Sequence, residues 1–100
     1  MRRVLAVLTT MIVMTGASEA SQIERACLKS ERAYGKRQLC RCIQSAADLT
    51  LTAKDQKLAA SFFSDPHRAQ EIRQSNSRRH ERFWDRYESF GRTAETFCRG

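Results

Sequence analysis

The chain has 100 residues, four of them cysteine, and 18 Lys+Arg stand against 11 Asp+Glu for a net charge of +7. So short a chain makes one small domain, with little room for a two-lobed binder that closes around a small molecule. Past residue 20 no apolar stretch is long enough to cross a membrane, so the remainder does not read as a channel or permease.

The first twenty residues read as an export signal. Met1-Arg2-Arg3 is a short positive head, and Val4 to Met14 is apolar except for Thr9 and Thr10. Gly16 loosens the chain, and Ser18-Glu19-Ala20 places small residues at −3 and −1 of a cleavage site between Ala20 and Ser21. The 11-residue apolar run is too short for a helix to span ~30 Å of hydrocarbon. Cleavage after Ala17 is the nearest rival. Residues 1–20 are therefore expected to be a signal peptide and residues 21–100 a single exported domain, periplasmic or secreted. Only Arg2, Arg3 and Glu19 leave with the signal, so 16 basic residues face 10 acidic ones in the remainder, a net charge of +6. Twelve of those 16 are arginine.

Cys27, Cys40, Cys42 and Cys98 make an even count in a short exported chain, the mark of a disulfide framework. A Cys40–Cys42 bond closes a tight ring, strained in a helix because side chains two apart diverge. Two pairings remain: Cys27–Cys42 with Cys40–Cys98, or Cys27–Cys40 with Cys42–Cys98. Either ties the C-terminus to the first hairpin. On the loop-entropy model the long closure contributes about 4 kcal/mol and the short one about 3. A core this small supplies only ~3–5 kcal/mol by itself, so reduction is expected to unfold most of the domain.

The pattern after residue 20 is helical throughout. Ile23, Ala26, Cys27, Ser30 and Tyr34 recur at helical spacing and predict a helix over 22–33, stopped at Gly35. Leu39, Ile43, Ala46 and Ala47 predict a second helix over 37–49. In an antiparallel hairpin turning at Gly35, Cys27 lies eight residues before the turn and Cys42 seven after, which favours Cys27–Cys42. Thr52 and Asp55 suggest a capping box opening a helix over 53–63, with Leu58, Ala59, Phe62 and Phe63 inward. Asp65 and Pro66 read as a cap and first position of a helix to Gln74. Ser75-Asn76-Ser77 is a break or a polar stretch of one long helix. A last helix over 78–98 carries Phe83, Tyr87, Phe90, Ala94 and Phe97 in steps of four and three, flanked by Trp84, Gly91 and Cys98. The expected fold is all-α, a small disulfide-stapled bundle of four or five helices.

Candidate chemistry is sparse. Cys40-Arg41-Cys42 could exchange disulfides, but it lacks the Cys-x-x-Cys spacing and a βαβ context. His67 and His80 are thirteen residues apart and the cysteines form one short pair, a poor match to paired zinc ligands. Covalent haem attachment would need Cys-x-x-Cys-His, which is absent. There is no Gly-x-Ser-x-Gly elbow and no Gly-rich phosphate loop. Glu24, Asp48 and Glu71 read as solvated helix faces. No enzyme activity, metal or cofactor is expected.

The strongest hint is the basic stretch from His67 to Arg86. Arg68, Arg73, Arg78, Arg79, Arg82 and Arg86 stand there against Glu71, Glu81 and Asp85. Arginine forks suit carboxylate and phosphate partners. Export makes nucleic acid an unsuitable target and favours an anionic envelope component or an acidic protein. The same stretch also reads as a solvated face in which Glu81 and Asp85 pair with Arg78 and Arg82. Trp84 and Tyr87 could join a binding patch, although their spacing favours core packing.

Several segments carry a family resemblance: Leu39-Cys40-Arg41-Cys42-Ile43-Gln44, Ala47-Asp48-Leu49-Thr50-Leu51, Asp55-Gln56 and Ala59-Ala60-Ser61-Phe62-Phe63-Ser64-Asp65-Pro66-His67. Ala69-Gln70, Arg73-Gln74-Ser75, Phe83-Trp84, Arg86-Tyr87 and Cys98 extend it over nearly all of residues 21–100. In these the chain resembles an uncharacterised family of small exported alphaproteobacterial proteins, some labelled "arginine transporter" by automated naming. The resemblance implies no fold, activity or binding residue. Without a membrane span past residue 20, the label implies at most an accessory to arginine or amino-acid transport. The leading expectation is a non-catalytic periplasmic binding protein with a basic face and two structural disulfides. The alternatives are that transport accessory and a thiol redox protein using Cys40 and Cys42.

Overall fold

A computed structural model describes residues 9–10 and 21–99. The expected signal segment falls outside the described residues save for Thr9 and Thr10, and its cleavage is not addressed by the fold. Five α-helices and one short 3-10 turn make up the rest, with no strand among the described residues. They are α1 (Gln22–Lys29), the turn Glu31–Ala33, α2 (Arg37–Thr50), α3 (Ala53–Ser64), α4 (Pro66–Arg73) and α5 (Arg78–Phe97).

The local signals explain most boundaries. Thr52 and Asp55 form a reciprocal capping box, with Asp55 N donating to Thr52 Oγ1 at 3.1 Å and Thr52 N to Asp55 Oδ2 at 3.2 Å. Pro66 opens α4, where a missing N–H leaves nothing unsatisfied. Asp65 supplies no side-chain cap to that helix, contrary to expectation. Its backbone instead closes α3 by donating to Ser61 O at 3.0 Å. Ser75-Asn76-Ser77 is a break, not helix.

α1 ends four residues short of its expected end. Ser30 turns extended at φ −74°, ψ 147°, and both its N–H and its hydroxyl donate to Cys27 O, at 3.1 and 2.7 Å. Serine competes for helical carbonyls in this way, and the periodicity of apolar residues does not register it. The chain then reverses through Gly35, whose φ of +78° lies in the left-handed region that favours glycine. Tyr34, expected on the helix face, stands 81% exposed in that reversal.

The disulfides are Cys27–Cys40 and Cys42–Cys98, with Cα separations of 5.5 and 5.7 Å. The favoured pairing of Cys27 with Cys42 and Cys40 with Cys98 is thereby overturned in favour of its alternative. The cause is the early end of α1. With that turn removed, Cys27 meets the first turn of α2 and not the second. Two residues on a helix differ by ~200° in direction, so Cys42 then faces away from α1. There it meets the end of α5, which packs along the other side of α2.

α2 lies between α1 and α5, α3 packs against α1 and α4, and α4 returns the chain to α5. The main core joins Ile23, Ala46, Ala47, Leu51, Ala59, Phe62, Ile72, Phe83 and Phe90. Its centre is aromatic: the Phe62 ring meets Phe83 and Tyr87 edge-on with centroids 5.9 and 5.3 Å apart, and Phe83 stacks on Tyr87 at 5.6 Å. A second cluster holds Cys27, Ala33 and Cys40. Phe97 does not join the core stripe. It is 72% exposed, because the Cys42–Cys98 bond at the end of α5 takes the inward position beside it.

Candidate functional site

Three helices place basic side chains around one groove of 770 Å³. α3 contributes Lys54 and Lys57, α4 contributes Arg68, and α5 contributes Arg79, His80 and Arg86. Leu58 and Phe83 give the groove an apolar wall, and Thr52, Ser61 and Ser64 add hydroxyls. The groove exists because α3 and α5 meet mainly through side chains: Phe62 against Phe83 and Tyr87 at one level, Asp55 against Arg86 at another.

Two carboxylates line the groove, Asp55 and Asp65. Asp55 is taken up entirely. Arg86 holds it with a fork, Nε to Oδ2 at 2.6 Å and an Nη to Oδ1 at 2.9 Å. Burial pushes the Asp55 carboxyl up, but the hydrogen bonds from Arg86 and the Thr52 backbone, with the Arg86 charge, outweigh it. The net result lies below the ordinary carboxylate value. The bond to Asp55 in turn holds Arg86 more firmly protonated. Lys54, Lys57, Arg68 and Arg79 enter no ion pair among the described residues. His80 is oriented by Ser75, with Nδ1 and Oγ 2.7 Å apart.

The six arginines named from sequence therefore separate into three roles. Arg68 and Arg79 line the groove with a free charge. Arg86 lines it as the structural partner of Asp55. Arg73, Arg78 and Arg82 are exposed and lie outside it. The expected pairs of Glu81 and Asp85 with Arg78 and Arg82 do not form among the described residues, whereas Glu71 meets His67 at 3.7 Å. Trp84 and Tyr87 also lie outside the groove. Tyr87 packs into the aromatic core, and Trp84 leans on it at 5.1 Å while donating to Glu88 Oε1 at 2.9 Å. Burial pushes the Tyr87 phenol up.

Lys54 and Lys57 were missed because attention falls on the run of arginines after residue 67. A signal was present: Lys54, Lys57, Ser61, Ser64 and Arg68 advance in steps of three and four along α3 and into α4.

A buried amide cluster was also not foreseen. Gln44 Nε2 donates to Asp48 Oδ1 and to Gln56 Oε1, both at 2.8 Å, and Gln44 Oε1 accepts from the Glu24 backbone at 2.9 Å. Gln56 Nε2 reaches Asp48 Oδ1 at 3.2 Å. Asp48 is exposed, as expected of a solvated carboxylate, and its Oδ1 also closes a network joining α1, α2 and α3. Glu24 keeps a longer contact with Arg41, 3.8 Å.

All four cysteines are in disulfides, and Cys40 and Cys42 serve different ones on opposite sides of α2. Among the described residues no group of three His, Cys, Asp or Glu side chains is placed to hold a metal ion. No helix there is long and apolar enough to cross a membrane. Neither family models, curated proteins nor solved structures provide a match to the chain.

Proposed function

We propose that residues 21–100 act, after export, as a non-catalytic binding protein that holds an acidic partner in the groove between α3, α4 and α5. The observation that carries this reading is the gathering of Lys54, Lys57, Arg68 and Arg79, none in an ion pair, from three helices onto one concave surface. Cations that share a concave, partly apolar wall reinforce one another's field and attract anionic ligands from a distance. The Asp55–Arg86 fork supports the reading, because it neutralises the one carboxylate buried among the described residues. An extended acidic polymer or an acidic protein segment suits such a surface, with side groups resting on Leu58 and Phe83.

Polyglutamate serves as the probe. The protein should bind it, more weakly as salt rises, since screening shortens the reach of exposed charges. Lys57→Glu with Arg79→Glu should reduce that affinity at least tenfold. Binding unchanged by the double substitution, or no binding to polyglutamate at low salt, overturns the proposal.

A further inference from the structure

We infer that the end of the bundle around the Cys42–Cys98 disulfide is a docking surface for anionic lipid, separate from the α3–α5 groove. Among the described residues exposed large apolar side chains are few: Tyr34 at 81%, Leu49 at 77% and Phe97 at 72%. Phe97 lines an open groove of 740 Å³ together with Gly35, Lys36 and Arg37, while Tyr34 precedes Gly35 in the chain without lining the groove. The disulfide ties the start of α2 to the end of α5, so it holds these two segments together.

The charges lining this groove are of one sign, with the exposed Glu95 beside Arg99 just outside it. Lys36, Arg37 and Arg99 line the groove, no carboxylate does, and none of the three enters an ion pair among the described residues. An exposed aromatic ring beside lysine and arginine is the composition of a membrane–water interface. The ring sits at headgroup level there and the cations meet phosphate. The shape favours lipid over an acidic protein. Phe97 stands out from the surface, and a headgroup layer admits a protruding ring in any orientation, whereas a protein would need a matching concavity. Leu49, at the far end of α2, is the ordinary isolated exposed residue that needs no partner.

The test is co-sedimentation with vesicles of phosphatidylcholine alone or with phosphatidylglycerol added, using the protein in the form recovered from expressing cells and every variant in that same form. The expected result is salt-sensitive binding to the phosphatidylglycerol vesicles and little to the neutral ones. Phe97→Ser should weaken partitioning about tenfold. Arg37→Glu or Arg99→Glu should each weaken it about fivefold or more. Lys57→Glu with Arg79→Glu, which tests the α3–α5 groove, should leave it unchanged, so the two proposals fail separately. Equal binding to neutral vesicles overturns the inference. So does binding that survives Phe97→Ser together with Arg99→Glu. Failure to bind either vesicle overturns it as well.

Discussion

Gln56 and Lys57 are neighbours on α3 and face opposite fates. Gln56 turns toward α2, where it is 5% exposed and each of its amide groups has a partner in Gln44, Asp48 or the Leu51 carbonyl. Lys57 lines the open groove between α3 and α5, with no ion-pair partner among the described residues. On the first side a polar group left unmatched would cost its full desolvation, so the network is closed. On the second side water solvates the charges, so selection for stability places no demand on them. Complete satisfaction marks the structural side, and an accumulation of unmatched like charge marks the side proposed to take a ligand.

Four groups of substitutions would break or sharpen that contrast. The largest effect belongs to the disulfides that hold both sides in place. Cys42→Ser with Cys98→Ser should cost about 4 kcal/mol, and Cys27→Ser with Cys40→Ser about 3, because the longer loop releases more chain entropy. Chemical denaturation followed by circular dichroism would rank them, and full reduction should abolish the cooperative transition.

Next comes the closed side. Gln44→Leu leaves the Glu24 N–H and the Gln56 carbonyl without their partner, and should cost about 2–3 kcal/mol. A loss below ~0.5 kcal/mol would mean that water replaces the amide and that the two sides differ less than their contacts imply.

The Asp55–Arg86 pair stands between the two regimes, with the Asp55 side chain buried and the Arg86 side chain 42% exposed. Arg86→Gln should cost about 2 kcal/mol, the usual loss for hydrogen bonds to a charged group. The folded-state pKa of Asp55 is lowered. Its contribution is therefore complete above the ordinary value of ~4 and is lost as pH falls through the lowered one. Stability measured down through that acid range should fall more steeply in the parent than in Arg86→Gln.

The smallest effect is expected on the open side. Lys57→Gln or Arg79→Gln should change stability by less than ~0.5 kcal/mol while lowering affinity for acidic polymers. A large loss of stability there would show that these side chains hold the fold and are not free for a ligand.

Much of this was legible in the residues. Thr52 and Asp55, Pro66, and the spacing of Phe83, Tyr87 and Phe90 mark helix starts and a buried face, because caps and periodicity act over a few residues. The arginine-rich stretch pointed toward the groove but not to its members. Arg73, Arg78, Arg79 and Arg82 look alike in sequence, and only the relation of α5 to α3 and α4 puts Arg79 in the groove and leaves the others outside.

By itself, the amino-acid pattern determined the all-helical class, the positions of α2, α3 and α5 to within a residue or so, and the pairing of all four cysteines into two bonds. Those follow from local backbone preferences, from apolar spacing and from an even cysteine count. Tertiary structure alone decided which cysteine meets which, that Phe97 faces outward, that Gln44 and Gln56 are buried, and that Asp55 captures Arg86. Each depends on where one helix ends relative to another. At Ser30, two hydrogen bonds to one carbonyl end α1 early and turn Cys27 toward Cys40.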